Sequence, residues 1–156
     1  MNFKKYVMVV CVLLLSACDQ VEPLGIDQHG VKIAESTVAG QWLVINYWAV
    51  WCAPCRKEVP ELNALQTQLQ GQGVQVFGVN YDDLQGAELL EDSQLLGIEF
   101  PVLAHDPAER FDLTRAAGLP ATYIIDPQGK VVEELKGEQT QGSIMAVLHA
   151  AGWSAP

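Results

Sequence analysis

Only Val50 and Trp51 separate the apolar run Trp42-Leu-Val-Ile-Asn-Tyr-Trp-Ala49 from Cys52, and Cys55 follows with Ala53 and Pro54 between the two thiols. A run that is apolar throughout apart from Asn46 fits a strand buried on both faces. From Ala53 or Pro54 to about Gln70, Val59, Leu62, Leu65 and Leu69 fall on one helical face, with Pro60 set to kink the helix and Gly71 and Gly73 to stop it. Val74-Gln-Val-Phe-Gly-Val-Asn-Tyr81 reads as a second strand. Strand, helix and strand at this spacing imply a parallel, right-handed unit. The thiols then sit where a strand gives way to a helix, and the unpaired N–H groups of a helix start stabilise a thiolate. This placement is the signature of a redox dithiol and points to thiol–disulfide exchange.

The rest of the chain extends an α/β pattern. Val31 to Gly40 suits a short strand and turn. Asp82 or Asp83 can cap a helix running to about Leu96, with Leu84, Ala87 and Leu90 inward and Glu88, Glu91 and Asp92 on a solvated face. Phe100 to Ala104 makes a third short strand. Asp106-Pro-Ala-Glu109 reads as an N-cap, a proline at the first helical position and a carboxylate three residues on, starting a helix that ends near Gly118. Ala121–Ile125 and Lys130–Leu135 flank Asp126-Pro-Gln-Gly129, a type I turn composition, and form an antiparallel hairpin. Ile144, Val147, Leu148 and Ala151 mark a last amphipathic helix closed by Gly152. With 49% apolar and 18% charged residues in 156, the composition argues against disorder and one globular domain is expected.

The first residues read as a processing signal. Lys4 and Lys5 form a positive n-region, and Tyr6 to Leu15 an apolar stretch too short to span a bilayer well. Leu15-Ser-Ala-Cys18 looks like a bacterial lipobox, which would place cleavage before Cys18 and lipid on its sulfur and new amine. An ordinary signal peptide cut near Ala17, or a short uncleaved anchor, is the alternative. The expected organisation is a lipoprotein signal over 1–17, a flexible tether over 18–30 and one domain over 31–156. Several acyl chains hold a protein firmly where one is marginal. Of four cysteines, Cys11 then leaves with the signal and Cys18 is alkylated, which leaves Cys52 and Cys55 as the only free pair. The exported compartment is oxidising, so this pair has to be kept reduced, or cycled, from outside the domain. The net charge is −10, and every Asp and Glu lies at or beyond Asp19. Such a surface disfavours nucleic acid and is repelled by anionic headgroups, so lipid and not charge has to supply any tether.

Taken together, Asn46-Tyr-Trp-Ala-Val-Trp-Cys-Ala-Pro-Cys55, Gly78-Val-Asn-Tyr-Asp82, and Leu119-Pro-Ala-Thr122 ahead of a hairpin and final helix resemble the TlpA/ResA branch of the thioredoxin superfamily. The resemblance covers about Val31 to Ala151. It implies a thioredoxin-like fold, a mixed central sheet flanked by helices, with an extra helix and strand inserted at about 82–105. It also implies an exported, membrane-tethered thiol–disulfide oxidoreductase, and a monomer is expected. Asp19, next to Cys18, resembles an inner-membrane retention signal, which in a host with two membranes would place the protein at the periplasmic face of the inner membrane; an ordinary spacer acid is the alternative. The branch favours a reductase, recharged by a membrane thiol donor and acting on exported disulfide-containing or dithiol proteins, apocytochrome c among them. Pro120 is by this resemblance the cis-proline facing the dithiol. Trp51, Ala53, Pro54, Leu119 and Pro120 form the substrate surface.

Within that frame Cys52, nearest the helix start, is the attacking thiolate and Cys55, one turn on and more buried, resolves the mixed disulfide. No cofactor is expected beyond the Cys52–Cys55 disulfide. Relatives of the cytosolic kind carry a buried Asp six residues before the first cysteine and a Lys on the next strand; here those positions are Asn46 and Gly78. Asn46 reads as a hydrogen-bonded core amide. Glu58 and Glu61 are the carboxylates left for proton transfer, although helix acids are usually exposed. Half a zinc site is the bland alternative for the two cysteines, but no second C-x-x-C exists and His29, His105 and His149 are scattered. The competing functions are a non-catalytic binding lipoprotein, holding metal, haem or client, and a disulfide-forming oxidase.

Overall fold

The computed structural model describes residues 23–156; the signal-like segment, Cys11 and Cys18 lie outside the described residues. In chain order the elements are β1 (Gly25–Ile26), β2 (Lys32–Ile33), α1 (Glu35–Val38), β3 (Trp42–Trp48), α2 (Ala53–Leu69), β4 (Val74–Asn80), α3 (Gly86–Leu95), β5 (Val102–Leu103), α4 (Ala108–Phe111), β6 (Ala121–Ile125), β7 (Val131–Lys136) and α5 (Gln141–Ala150). Five strands form a mixed sheet in the order β5-β4-β3-β6-β7, with β3, β4 and β5 parallel and β6 and β7 antiparallel to their neighbours. The chain has the thioredoxin-like α/β architecture expected of it.

The central strand β3 is buried along nearly its whole length because the sheet is covered on both faces. Val44 and Trp48 join Val59, Leu62, Leu65 and Leu69 of α2 and Ile144 and Leu148 of α5 in one core. Leu43, Ile45 and Tyr47 point the other way and pack with Val38, Phe77, Phe111 and Tyr123. The alternation of a strand thus divides one apolar run between two cores.

Gly78 is explained by space. It pairs with Asn46 across β3 and β4, and a Cβ there would lie 2.9 Å from Trp48 Nε1 and 3.1 Å from both Phe100 and Val102 side chains. No lysine fits at this position.

Three elements differ from expectation. Helix α3 begins at Gly86, not at Asp82 or Asp83, because Asn80 Oδ1 accepts the N–H groups of Asp82 (2.9 Å) and Leu84 (3.4 Å) and folds them into a turn. Its buried face is consequently Leu89 and Ser93, with Leu84 and Leu90 half-buried and Ala87 exposed. Asp106 does accept the N–H of Ala108 at 2.9 Å, but α4 lasts only to Phe111, since Asp112 turns left-handed at φ 51°. Beyond it the chain is irregular, pinned by the Tyr123 hydroxyl on Thr114 O and by the Tyr81 hydroxyl on Ala116 O.

The third difference is at the amino end. Residues 24–30, assigned above to a flexible tether, are folded: β1 pairs with β2, Ala104 N–H donates to Ile26 O at 2.9 Å, and Asp27 bridges to Leu103. Gln28 is buried and stands in for a neighbouring strand, its amide oxygen accepting from Val102 N–H at 2.7 Å and its nitrogen donating to Phe100 O at 3.4 Å. This segment covers the β5 edge of the sheet, whose backbone groups would otherwise be unpaired.

Candidate active site

Cys52 is the N-cap of α2 and Cys55 lies in its first turn, with Pro54 at a position that needs no donor. The two cysteines are disulfide-bonded, with Cα atoms 5.3 Å apart, and the N–H of Cys55 donates to Cys52 Sγ at 3.2 Å. A helix start thereby directs an N–H at one sulfur of the pair, the one whose thiolate it would stabilise on reduction. Cys52 is 4% exposed and Cys55 1%. The order is the expected one, but Cys52 is buried too, and helix position separates the two sulfurs more clearly than exposure does.

Trp51 supplies the open surface beside them. It is 59% exposed, and its indole Nε1 donates to Asp82 Oδ2 at 2.7 Å, so the turn built on Asn80 also fixes the indole. On the other flank of β3, Ala121 pairs with Tyr47, which brings Pro120 to the carboxyl end of that strand, where the dithiol segment begins. The Leu119–Pro120 peptide bond is cis. Ala53 is exposed, Pro54 and Leu119 half-buried and Pro120 buried. Arg56 folds back, its guanidinium donating twice to Val50 O at 3.0 and 2.5 Å, and closes the loop between β3 and α2.

A buried polar group lies one helical turn beyond Cys55. Asn46 Nδ2 donates to Glu58 Oε2 at 2.9 Å and to Thr122 Oγ1 at 3.0 Å, and Glu58 Oε1 accepts the backbone N–H of Gln139 at 3.0 Å. Asn46 is thus the hydrogen-bonded core amide that its place in an apolar strand suggests. Glu58 is fully buried. Burial pushes its carboxyl up to about 7, against the two hydrogen bonds that favour the charged form. Glu61, by contrast, is half-buried and spent on Gln141 N–H at 2.9 Å.

Glu58, Thr122 and Gln139 were not singled out together by sequence reading. The signal for Glu58 was present: it falls on the same face as Cys55, Val59 and Leu62, and a charged residue on an apolar face has to be partnered. Among the described residues no group of three or more His, Cys, Asp and Glu side chains gathers to hold a metal ion. What the arrangement can do is exchange a disulfide, with a partly ionised carboxyl one turn from the second sulfur.

Residues 17–134 match the model of the AhpC/TSA family. The thiol-disulfide oxidoreductase ResA of Bacillus thuringiensis (strain Al Hakam) is 35% identical over 123 residues, covering 78% of this chain and 70% of that protein. ResA of Geobacillus thermodenitrificans (strain NG80-2) is 30% identical over 124 residues, covering 80% and 71%. Among solved structures, a thioredoxin-family thiol:disulfide interchange protein from Chlorobium tepidum TLS shares the fold at a TM-score of 0.68 and 23% identity, covering 81% of this chain and 90% of that one. A secreted thiol-disulfide isomerase from Corynebacterium glutamicum aligns at a TM-score of 0.65 and 26% identity, covering 79% and 78%. With a dithiol at the start of α2 and relatives of this kind, the chain belongs to the AhpC/TSA family, as a thiol–disulfide oxidoreductase of thioredoxin-like fold.

Proposed function

We propose that this enzyme is a membrane-tethered, exported disulfide reductase, held by lipid on Cys18 and facing the periplasm where the host has two membranes. Cys52 is the attacking sulfur and Cys55 the resolving one. The observation that carries the assignment is the N–H of Cys55 donated to Cys52 Sγ at the N-cap of α2. A thiolate formed there attacks a substrate disulfide, forming a Cys52–substrate mixed disulfide and releasing one substrate thiolate, which takes a proton from water. Cys55 then loses its proton, attacks Cys52 Sγ and expels the second substrate thiolate. Glu58, one turn away on the same buried face, is the acceptor for the Cys55 proton and passes it to solvent. The products are a reduced substrate and the oxidised Cys52–Cys55 pair. Two electrons and two protons from a membrane thiol donor restore the dithiol.

Trp51, Ala53, Pro54 and Leu119 form the surface on which an extended segment of the client lies, with Pro120 buried next to Leu119. Clients are exported proteins carrying disulfides, apocytochrome c before haem attachment among them. No cofactor takes part beyond the two sulfurs.

Cys55→Ala expressed in an exporting host tests the roles. It should accumulate mixed disulfides through Cys52, whereas Cys52→Ser should lose turnover and trap nothing. Capture through Cys55 in the Cys52→Ser protein would reverse the assignment. Equilibration with glutathione tests direction: a potential near the thioredoxin value of about −270 mV supports a reductase, and one near about −120 mV supports an oxidase instead.

A further inference from the structure

The path by which the chain enters the domain determines which end of the domain faces its anchor. The amino-terminal segment runs antiparallel to β5, with Gln28 beside Phe100 and Val102 and Ile26 beside Ala104. Traced backward from Gln28 to Leu24, the chain therefore climbs from the amino end of β5 to its carboxyl end. Because β3, β4 and β5 are parallel, that is the end of the sheet from which the dithiol segment leaves β3. The entry point and the dithiol are separated sideways by three strand positions, about 15 Å at roughly 4.8 Å each.

Distances decide what this means for a tethered protein. Cys18 and Pro23 are five residues apart. Fully extended, five residues reach about 18 Å. A domain of this size is roughly 35 Å across. Turning the opposite end toward the bilayer, the end carrying the Asp126–Gly129 turn, would require the tether to run the length of the domain, about twice its reach.

We propose that the carboxyl end of the sheet, with Trp51, the dithiol and the Asp82 turn, is the membrane-facing end. The proposal rests on the lipid tether at Cys18 and adds to it the orientation. The exposed acids Asp82, Asp83 and Asp106 of this end are matched by exposed Arg56, Lys57 and Arg115, so its charge neither draws it to anionic headgroups nor drives it from them, and the tether sets the orientation. The membrane thiol donor of the proposed function then meets the protein at this end. In that encounter the donor's dithiol is oxidised to a disulfide while the Cys52–Cys55 disulfide is reduced, two electrons and two protons passing between them.

His105 and Gln128 are exposed and mark the two ends. The lipidated full chain, carrying a spin label on His105→Cys or Gln128→Cys with the Cys52–Cys55 disulfide kept closed, is reconstituted into phosphatidylcholine vesicles containing a nickel-chelating lipid. Relaxation by headgroup nickel should be several-fold stronger at position 105 than at 128. Equal relaxation, or the reverse order, in vesicle-bound protein overturns the orientation and leaves the tether standing. Protein that carries no lipid and does not bind the vesicles overturns the tether, and the orientation with it. A second measurement uses the host: the chain released into the exported compartment by an ordinary cleavable signal should hold its dithiol several-fold more oxidised than the anchored chain. Equal redox states would show a soluble donor and overturn the membrane donor.

Discussion

Asn46 Nδ2 donates to Glu58 Oε2 across 2.9 Å between two buried residues, one on the central strand and one on the helix that carries the dithiol. An amide at position 46 can hold a carboxylate by hydrogen bonding but cannot exchange a proton with it. The titrating group has therefore moved from the strand to the helix, compared with cytosolic relatives that keep an acid on the strand.

This placement has a cost that depends on pH. The Glu58 carboxyl is raised from 4.5 to about 7 in the folded protein. Between those values the native state keeps a proton that the unfolded chain has released, so the contribution of Glu58 to stability is fully present below 4.5 and is lost as pH rises to about 7. The fall is about 3 kcal/mol at 1.36 kcal/mol per unit. Glu58→Gln has no such slope. It turns an amide nitrogen toward one of two N–H donors and loses that bond, about 1–2 kcal/mol. Urea unfolding should show the variant less stable at pH 5 and level with or above the wild type at pH 8; parallel curves would mean that Glu58 is charged throughout.

The same variant separates proton transfer from binding. If Glu58 takes the Cys55 proton, Glu58→Gln should slow resolution of the mixed disulfide by roughly 10²-fold and remove the step near neutral pH from the rate profile, with client affinity unchanged. Stopped-flow release of the substrate thiol measures this. A variant with wild-type rate and profile would return the group to a structural role.

Trp51 is held over the surface by one bond, from its indole to Asp82 Oδ2. Asp82 is exposed, so Asp82→Ala should change stability by no more than about 0.5 kcal/mol. The freed indole should raise KM for a disulfide-containing protein several-fold and leave kcat, and the reduction of small disulfides such as oxidised glutathione, as they were. Equal loss on both substrates would place Asp82 in the chemistry instead.

How much of this was legible in the chain follows from how far each feature is local. The strand at 42–48, the dithiol and the helix at 53–69 are written in apolar spacing, and the family resemblance set Gly78 opposite Asn46, where the register of β3 and β4 has it. Glu58 was legible as one of two candidate carboxylates, but its helical face, which separates it from Glu61, was not weighed. The early end of α4 was not legible, since a left-handed Asp112 is decided by what packs around it. Nor was β1, two residues long, whose order comes from β5, about 75 residues away in sequence, through Gln28, whereas β2 falls in the short strand read within 31–40.

Gly78 is under a steric constraint that substitution exposes. Alanine there sets a methyl group 2.9 Å from Trp48 Nε1 and against Phe100 and Val102, all in a packed core. Gly78→Ala should cost about 1–3 kcal/mol. Gly118→Ala meets no atom within 4 Å and is the control, neutral or slightly stabilising. Chemical denaturation of the pair separates a packing cost from any general effect of replacing glycine.

Gln28 joins the amino-terminal segment to the sheet edge, and its loss should loosen that edge before it unfolds the domain. Gln28→Ala leaves the buried N–H of Val102 without its acceptor, worth about 1–3 kcal/mol. The opening is local, because β3, with β4 and β6 on its two sides, has no contact with Gln28 among its hydrogen bonds. Amide exchange should therefore accelerate at Val102 and Ala104 by one to two orders of magnitude, in line with that energy, while the β3 amides keep their protection. Uniform acceleration through β3 would show that segment 24–33 folds in one cooperative unit with the sheet. Unchanged exchange at Ala104 would show that the Ile26 and Asp27 backbone contacts hold the edge without the side chain.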